Sequence, residues 1–128
     1  MATDQRRRHG ELGERIAEEH LAHRGYSIVA RNFRTRYGEL DLIAADDRSL
    51  VFCEVKTRIA GTRRGPDGPL DAIGSRKRDR LRRMATQWLA ENSGGSRPRP
   101  PDIRFDAIGV MLTPAGRLLA LEHLENAF

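Results

Sequence analysis

Residues 9 to 24 repeat their apolar positions with a helical period: Leu12, Ile16, Ala17 and Leu21 fall on one arc, with Gly10 and Gly13 inside it. This predicts a first helix closed by Gly25, a residue suited to the left-handed turn after a helix end. At about 100° per residue, Glu14 lands at the edge of the arc beside Ala17 and Leu21. It is therefore either held near whatever the helix packs on or a flanking surface glutamate. A strand is expected from Tyr26 to Phe33, and RTRYG turns the chain. GELDLIAADDRSLVFCEVK then reads as a hairpin around ADDRS. With its turn centred between Asp47 and Arg48, Asp41 lies opposite Glu54 and Glu39 opposite Lys56. A one-residue slip would carry Asp41 to the other face.

Residues 57–69 are basic and rich in Gly and Pro, so they predict a flexible loop. A second helix is expected from Leu70 to Glu91, with Ile73, Leu81, Met84, Ala85 and Trp88 as its apolar stripe. Lys77 projects into that stripe, either snorkelling to water or reaching toward a phosphate. NSGGSRPRPPD, about 92–102, reads as a flexible linker. IRFDAIGVML and RLLALEHL follow as two strands around TPAG. The order αβββαββ predicts an α/β fold, a mixed β-sheet flanked by helices, in a single domain spanning residues 1–128.

Charge changes the picture from fold to partner. The chain carries a net charge of +5, and its pI of 10.3 points toward nucleic acid or another polyanion. Of 23 basic residues 21 are arginine; Lys56 and Lys77 are the two lysines. Arg31, Asn32, Arg34, Arg63, Arg64, Arg76, Arg78 and Arg80, together with Lys77, are candidate nucleic-acid contacts; solvated faces are the plain alternative. The single cysteine, Cys53, rules out an intrachain disulfide and a cysteine zinc cluster, and its alternation with Glu54 predicts a core position. Four histidines show no triad or zinc spacing, and Asp106 reads as structural. MATDQRRRHGELGE has no apolar stretch behind its charges, so no signal peptide is expected. No segment approaches spanning length, and a cytoplasmic protein without membrane contact is the expectation.

Candidate chemistry centres on Asp41, Glu54 and Lys56. Opposed carboxylates repel, and a shared proton, a cation or a bound metal would relieve them. Mg²⁺ favours oxygen ligands of this type, and an adjacent ammonium suits an anionic phosphodiester. The bland alternative is a Glu54–Lys56 ion pair along one strand.

Glu14 in GELGE, RNFR, GELDLIA, LVFCEVKTR, the Lys77 helix, RFDAIGV and the terminal ENAF together resemble the YraN family of bacterial proteins, across nearly the whole chain. The resemblance implies a restriction-endonuclease-like fold, similar to archaeal Holliday-junction resolvases, with the D…E-x-K signature of metal-dependent nucleases. It implies Asp41 and Glu54 as ligands of Mg²⁺ (or Mn²⁺), with the Val55 carbonyl as a third. Lys56 becomes the catalytic lysine, and Glu14 the helix-one glutamate that holds metal-bound water. Leu40 stands where such sites usually place a proline before the aspartate. The implied function is hydrolysis of structured or branched DNA, with a homodimer suggested by resolvase-like relatives. The alternatives are a non-catalytic nucleic-acid-binding module and a protein adaptor that keep the nuclease fold.

Overall fold

The structure, a computed structural model, describes residues 2–61, 75–92 and 102–128. The elements run α1 Ala2–His23, β1 Ser27–Thr35, β2 Gly38–Ala45, β3 Ser49–Ile59, α2 Ser75–Glu91, β4 Asp102–Leu112 and β5 Leu118–Leu124. The five strands lie side by side in chain order. β3 and β4 pair in parallel, and the other neighbours are antiparallel. This is the mixed α/β sheet expected from αβββαββ.

Alternation along the central strands divides the core into two layers. Leu42, Val51, Cys53, Ile108 and Val110 pack beneath Ala17 and Leu21 of α1. Leu40, Ile43, Leu50 and Phe52 pack beneath Leu81, Met84 and Ala85 of α2. Phe52 anchors the second layer, stacking on Phe105 at 5.6 Å and meeting the Trp88 ring edge-on at 5.9 Å. Cys53 is fully buried, as its alternation predicted.

The hairpin has the expected register, with Leu42 opposite Cys53 and Ala45 opposite Leu50. Asp46 sets the turn by accepting hydrogen bonds from the Arg48 and Ser49 amides at 2.9 and 2.7 Å. α1 ends where Gly25 takes φ 93°; its amide bonds the Ala22 carbonyl, while the Tyr26 amide bonds that of Leu21. These paired bonds form a Schellman motif.

Two boundaries differ from expectation. α1 starts at Ala2 instead of residue 9, because its first turns are polar all round and carry no apolar period to read. Good helix formers and an Arg7–Glu11 pair at 3.7 Å support that exposed stretch. β3 continues to Ile59, through residues expected to open a loop. Thr57, Arg58 and Ile59 pair with Val110, Met111 and Leu112, so the parallel neighbour outweighs local composition. The rest of that loop from residue 62, the start expected for the second helix at Leu70, and linker residues 93–101 lie outside the described residues.

Asp106, with no exposed surface, clamps the far side of the sheet. It accepts hydrogen bonds from Arg104 Nε at 2.9 Å and Nη2 at 2.9 Å, and from the Asn126 amide at 2.9 Å. His123 Nε2 lies 2.8 Å from it, and Arg104 also donates to the Tyr26 hydroxyl at 2.8 Å. β4, β5, the C-terminal segment and the start of β1 are thus tied to one carboxylate. Burial pushes Asp106 up, but the bonds from His123, Arg104 and Asn126 outweigh it and hold the carboxyl below its ordinary range. His20 Nε2 lies 3.0 Å from His123 Nδ1, so two histidines that showed no sequence spacing meet through the tertiary fold.

α1 approaches the sheet tightly at Gly13. A Cβ there would stand 1.9 Å from Thr57 Oγ1, whereas a Cβ on Gly10 would meet nothing within 4 Å. Two glycine-to-alanine substitutions one turn apart should therefore have opposite signs. Gly10→Ala is expected to stabilise by about 0.5–1 kcal/mol through helix propensity. Gly13→Ala should destabilise by about 1–3 kcal/mol through overpacking, as measured by urea denaturation.

Candidate active site

The site forms where the β2–β3 ladder ends. Beyond Leu42 and Cys53 the backbone pairing stops, and Asp41 fills the gap with its side chain. Asp41 Oδ2 accepts the Val55 amide at 2.7 Å, in place of a backbone carbonyl from β2. One strand over, Asn32 takes a left-handed φ of 49°, interrupting β1 at the position facing Asp41. The irregularity lets Asp41 turn toward α1, the same side as its neighbour Leu42.

α1 supplies the second carboxylate. Gly13 brings the helix backbone against β3, and the next residue, Glu14, reaches Asp41. The two carboxyl groups lie within 4.8 Å of each other. Glu39 is the third member: carboxylate oxygens of Glu14, Glu39 and Asp41 all lie within 4.8 Å of one another. Glu39 was not among the expected site residues. Its two-residue spacing from Asp41 on one strand was the available signal, because that spacing shares a face. The anticipated opposition of Glu39 and Lys56 is absent from the ladder, and Glu39 also pairs with Arg34 at 3.3 Å.

Glu54 and Lys56 continue the row of Leu50 and Phe52 on the α2 side, while Val55 packs toward α1. Glu54 is half-buried, with Oε2 closed off from solvent, and Lys56 is exposed. The Glu54 charge still reaches Asp41. Burial raises Asp41 to about 7; the Val55 hydrogen bond opposes this, while the charges of Glu14, Glu54 and Glu39 reinforce it. Glu14 is raised by burial and by Glu39 and Glu11, against the opposing effect of the Asp41 side chain. Such a group of hard oxygen donors, short of positive charge, suits a divalent cation.

The expected nucleic-acid contacts separate into groups. Arg31 forms a two-pronged pair with Glu18 on α1, and Asn32 and Arg34 are exposed on β1. Arg78 and Arg80 are exposed on α2, the stem of Arg80 lying over Gly38 just before Glu39. Arg63 and Arg64 lie outside the described residues, as do the side chains of Arg76 and Lys77.

The chain is thus an α/β protein with a five-stranded mixed sheet and two helices, carrying a group of carboxylates from α1 and β2. Residues 13–110 match the uncharacterised protein family UPF0102, and the chain belongs to this family, also called YraN. It is similar to a UPF0102 protein of Symbiobacterium thermophilum, 47% identical over 122 residues, covering 95% of this chain and 97% of the relative. A UPF0102 protein of Frankia alni is 46% identical over 119 residues, covering 93% and 92%. One of Mycobacterium tuberculosis is 44% identical over 121 residues, covering 91% and 89%. Among the described residues no helix is long and apolar enough to cross a membrane.

The raised Asp41 carboxyl makes stability depend on pH. Below its ordinary value of 3.8, Asp41 is protonated whether folded or unfolded and costs nothing. Between there and about 7 the unfolded chain ionises first, so stability falls as pH rises, then levels off. Asp41→Asn can keep the Val55 bond without the charge and should flatten this profile. At pH above 7 it should gain about 2 kcal/mol, half the full shift at about 1.4 kcal/mol per unit because the carboxyl is part-exposed. Urea denaturation across pH measures it; a variant no more stable than wild type at high pH would refute the assignment.

Proposed function

We propose that the chain is a divalent-metal-dependent nuclease that hydrolyses phosphodiester bonds of structured or branched DNA through a restriction-endonuclease-like site. The carrying observation is the carboxylate group of half-buried Glu14 and Asp41 with exposed Glu39, and the Glu54 charge acting on Asp41. Carboxyls raised by burial and mutual repulsion are typical of sites that handle a cation or a proton. The raised Asp41 supports this use because an uncompensated group of this kind burdens the fold.

In this reading Asp41 and Glu54, with the Val55 carbonyl, hold Mg²⁺ or Mn²⁺, and Glu39 adds a donor. When bound, the metal lowers the pKa of its water and offsets phosphate charge. Glu14 orients the attacking water by hydrogen bonding. Lys56, exposed at the same strand end, offers its ammonium to charge developing on the scissile phosphate. The resolvase-like homodimer belongs to the same reading, and a paired arrangement would suit a branched substrate.

Branched and flap DNA should be cut in the presence of Mg²⁺ or Mn²⁺, and chelation should stop the reaction. Glu54→Ala and Asp41→Asn are expected to lower the cleavage rate at least about a hundredfold while retaining DNA binding. Cleavage unchanged in Glu54→Ala would place the activity elsewhere. DNA binding with no cleavage under any metal would leave a nucleic-acid-binding module; no binding to DNA would leave the adaptor.

A further inference from the structure

On the α2 side of the sheet, the β1–β2 turn and α2 enclose an open cleft of about 420 Å³ lined by Arg36, Tyr37, Arg82, Arg83, Thr86 and Gln87. None of these residues is acidic, and three are arginines. Their guanidiniums are arranged on aromatic rings. Arg36 lies 4.9 Å from the Tyr37 ring centroid and donates to the Tyr37 hydroxyl at 2.6 Å. Arg83 lies 5.5 Å from the same ring, and Arg82 lies 6.0 Å from that of Phe105. Tyr37 itself is half-buried against the α2 layer of the core, so the platform is anchored.

This arginine set differs from those that carboxylates hold. Arg31 is held by Glu18, Arg34 by Glu39 and Arg104 by Asp106. Among the described residues no carboxylate lies within ion-pair distance of Arg36, Arg82 or Arg83. Guanidiniums positioned by rings and left without anions lose little freedom on binding one. Tyr37 is two residues from Glu39, and the Arg80 stem over Gly38 bridges the interval. Tyr37 lies four positions before Asp41, a Cα reach of at most about 14 Å. The cleft lies on the α2 side of the sheet and the Glu14–Asp41 group on the α1 side, the two joined through the start of β2.

We propose that this cleft binds an unpaired nucleic-acid strand, its phosphates held by Arg36, Arg82 and Arg83 and a base held against Tyr37. A shallow, open site with exposed guanidiniums and an aromatic ring suits an unstacked strand, whereas a duplex keeps its base faces covered. The inference rests on the nuclease reading for its purpose, since it gives a branched substrate a place for its single-stranded arm. Its binding is separable from cleavage.

The test uses the full chain with chelator present, measuring fluorescence anisotropy of short labelled single-stranded DNA, single-stranded RNA and a blunt duplex. Arg82→Gln/Arg83→Gln should weaken single-strand binding at least tenfold and lower the salt slope by about 1.4, with the melting temperature unchanged. Tyr37→Phe should retain affinity and Tyr37→Leu should lose it. Arg48→Gln/Arg117→Gln removes the same charge from exposed turns elsewhere and should have a much smaller effect. Equal losses in the two double variants would reduce the effect to net charge and overturn the cleft. So would tighter binding of duplex than single strand, or no binding of any oligonucleotide. The DNA and RNA arms read which sugar the site accepts, and preference for either supports the cleft. Cleft-dependent binding without cleavage by wild type would sustain the cleft and remove the nuclease reading. Metal-dependent cleavage unchanged in the cleft variant, with binding also unchanged, would do the reverse.

Discussion

The contact of Gly13 with Thr57 governs the geometry of the carboxylate site. A helix carrying any side chain at position 13 could not rest this close to β3, because the Thr57 hydroxyl occupies the space. Glu14 is the next residue, so the distance allowed at Gly13 decides whether its carboxyl meets Asp41 or stays in water. Below it, the end of the β2–β3 ladder frees the Val55 amide for Asp41. One missing side chain and one missing ladder bond thus bring charges together from different parts of the chain.

The sheet contains two aspartates withdrawn from water, and they respond in opposite directions. Burial raises both. At Asp106 it is overcome by bonds from His123, Arg104 and the Asn126 amide, so the carboxyl stays ionised and ties the C-terminal segment to β4. Asp41 has one backbone donor and three neighbouring carboxylates, and is raised to about 7. A buried acid with matched donors is explained by the fold it secures. An acid buried among other acids is not, and this contrast separates a structural carboxylate from a candidate functional one.

Much of this arrangement was legible from local pattern. The hairpin register followed from its turn, the core position of Cys53 from alternation, and the position of Glu14 from helical angle. The missed features have identifiable causes. The exposed beginning of α1 has no apolar period, and the end of β3 is stabilised by a strand over fifty residues later. Meetings such as His20 with His123, or Arg31 with Glu18, depend on how a helix lies across a sheet, which residue spacing does not encode. Glu39 was visible as the face-mate of Asp41. The expectation of strict pairing opposite Lys56 concealed it, because that pairing assumed the ladder continued.

The arginine bias of the chain gives Lys56 a physical rationale. Two guanidiniums among the described residues close a fork on a carboxylate, Arg31 on Glu18 and Arg104 on Asp106, while Arg34 meets Glu39 through one nitrogen. At the end of β3, with Glu54 two residues away on the same face, an arginine could be drawn into the same two-pronged arrangement. Its charge would then be committed to the protein. An ammonium is a point charge on a flexible stem, with no planar fork to lock. Lys56 is exposed at that strand end, on the same face as Glu54, where its ammonium is not locked in a planar fork.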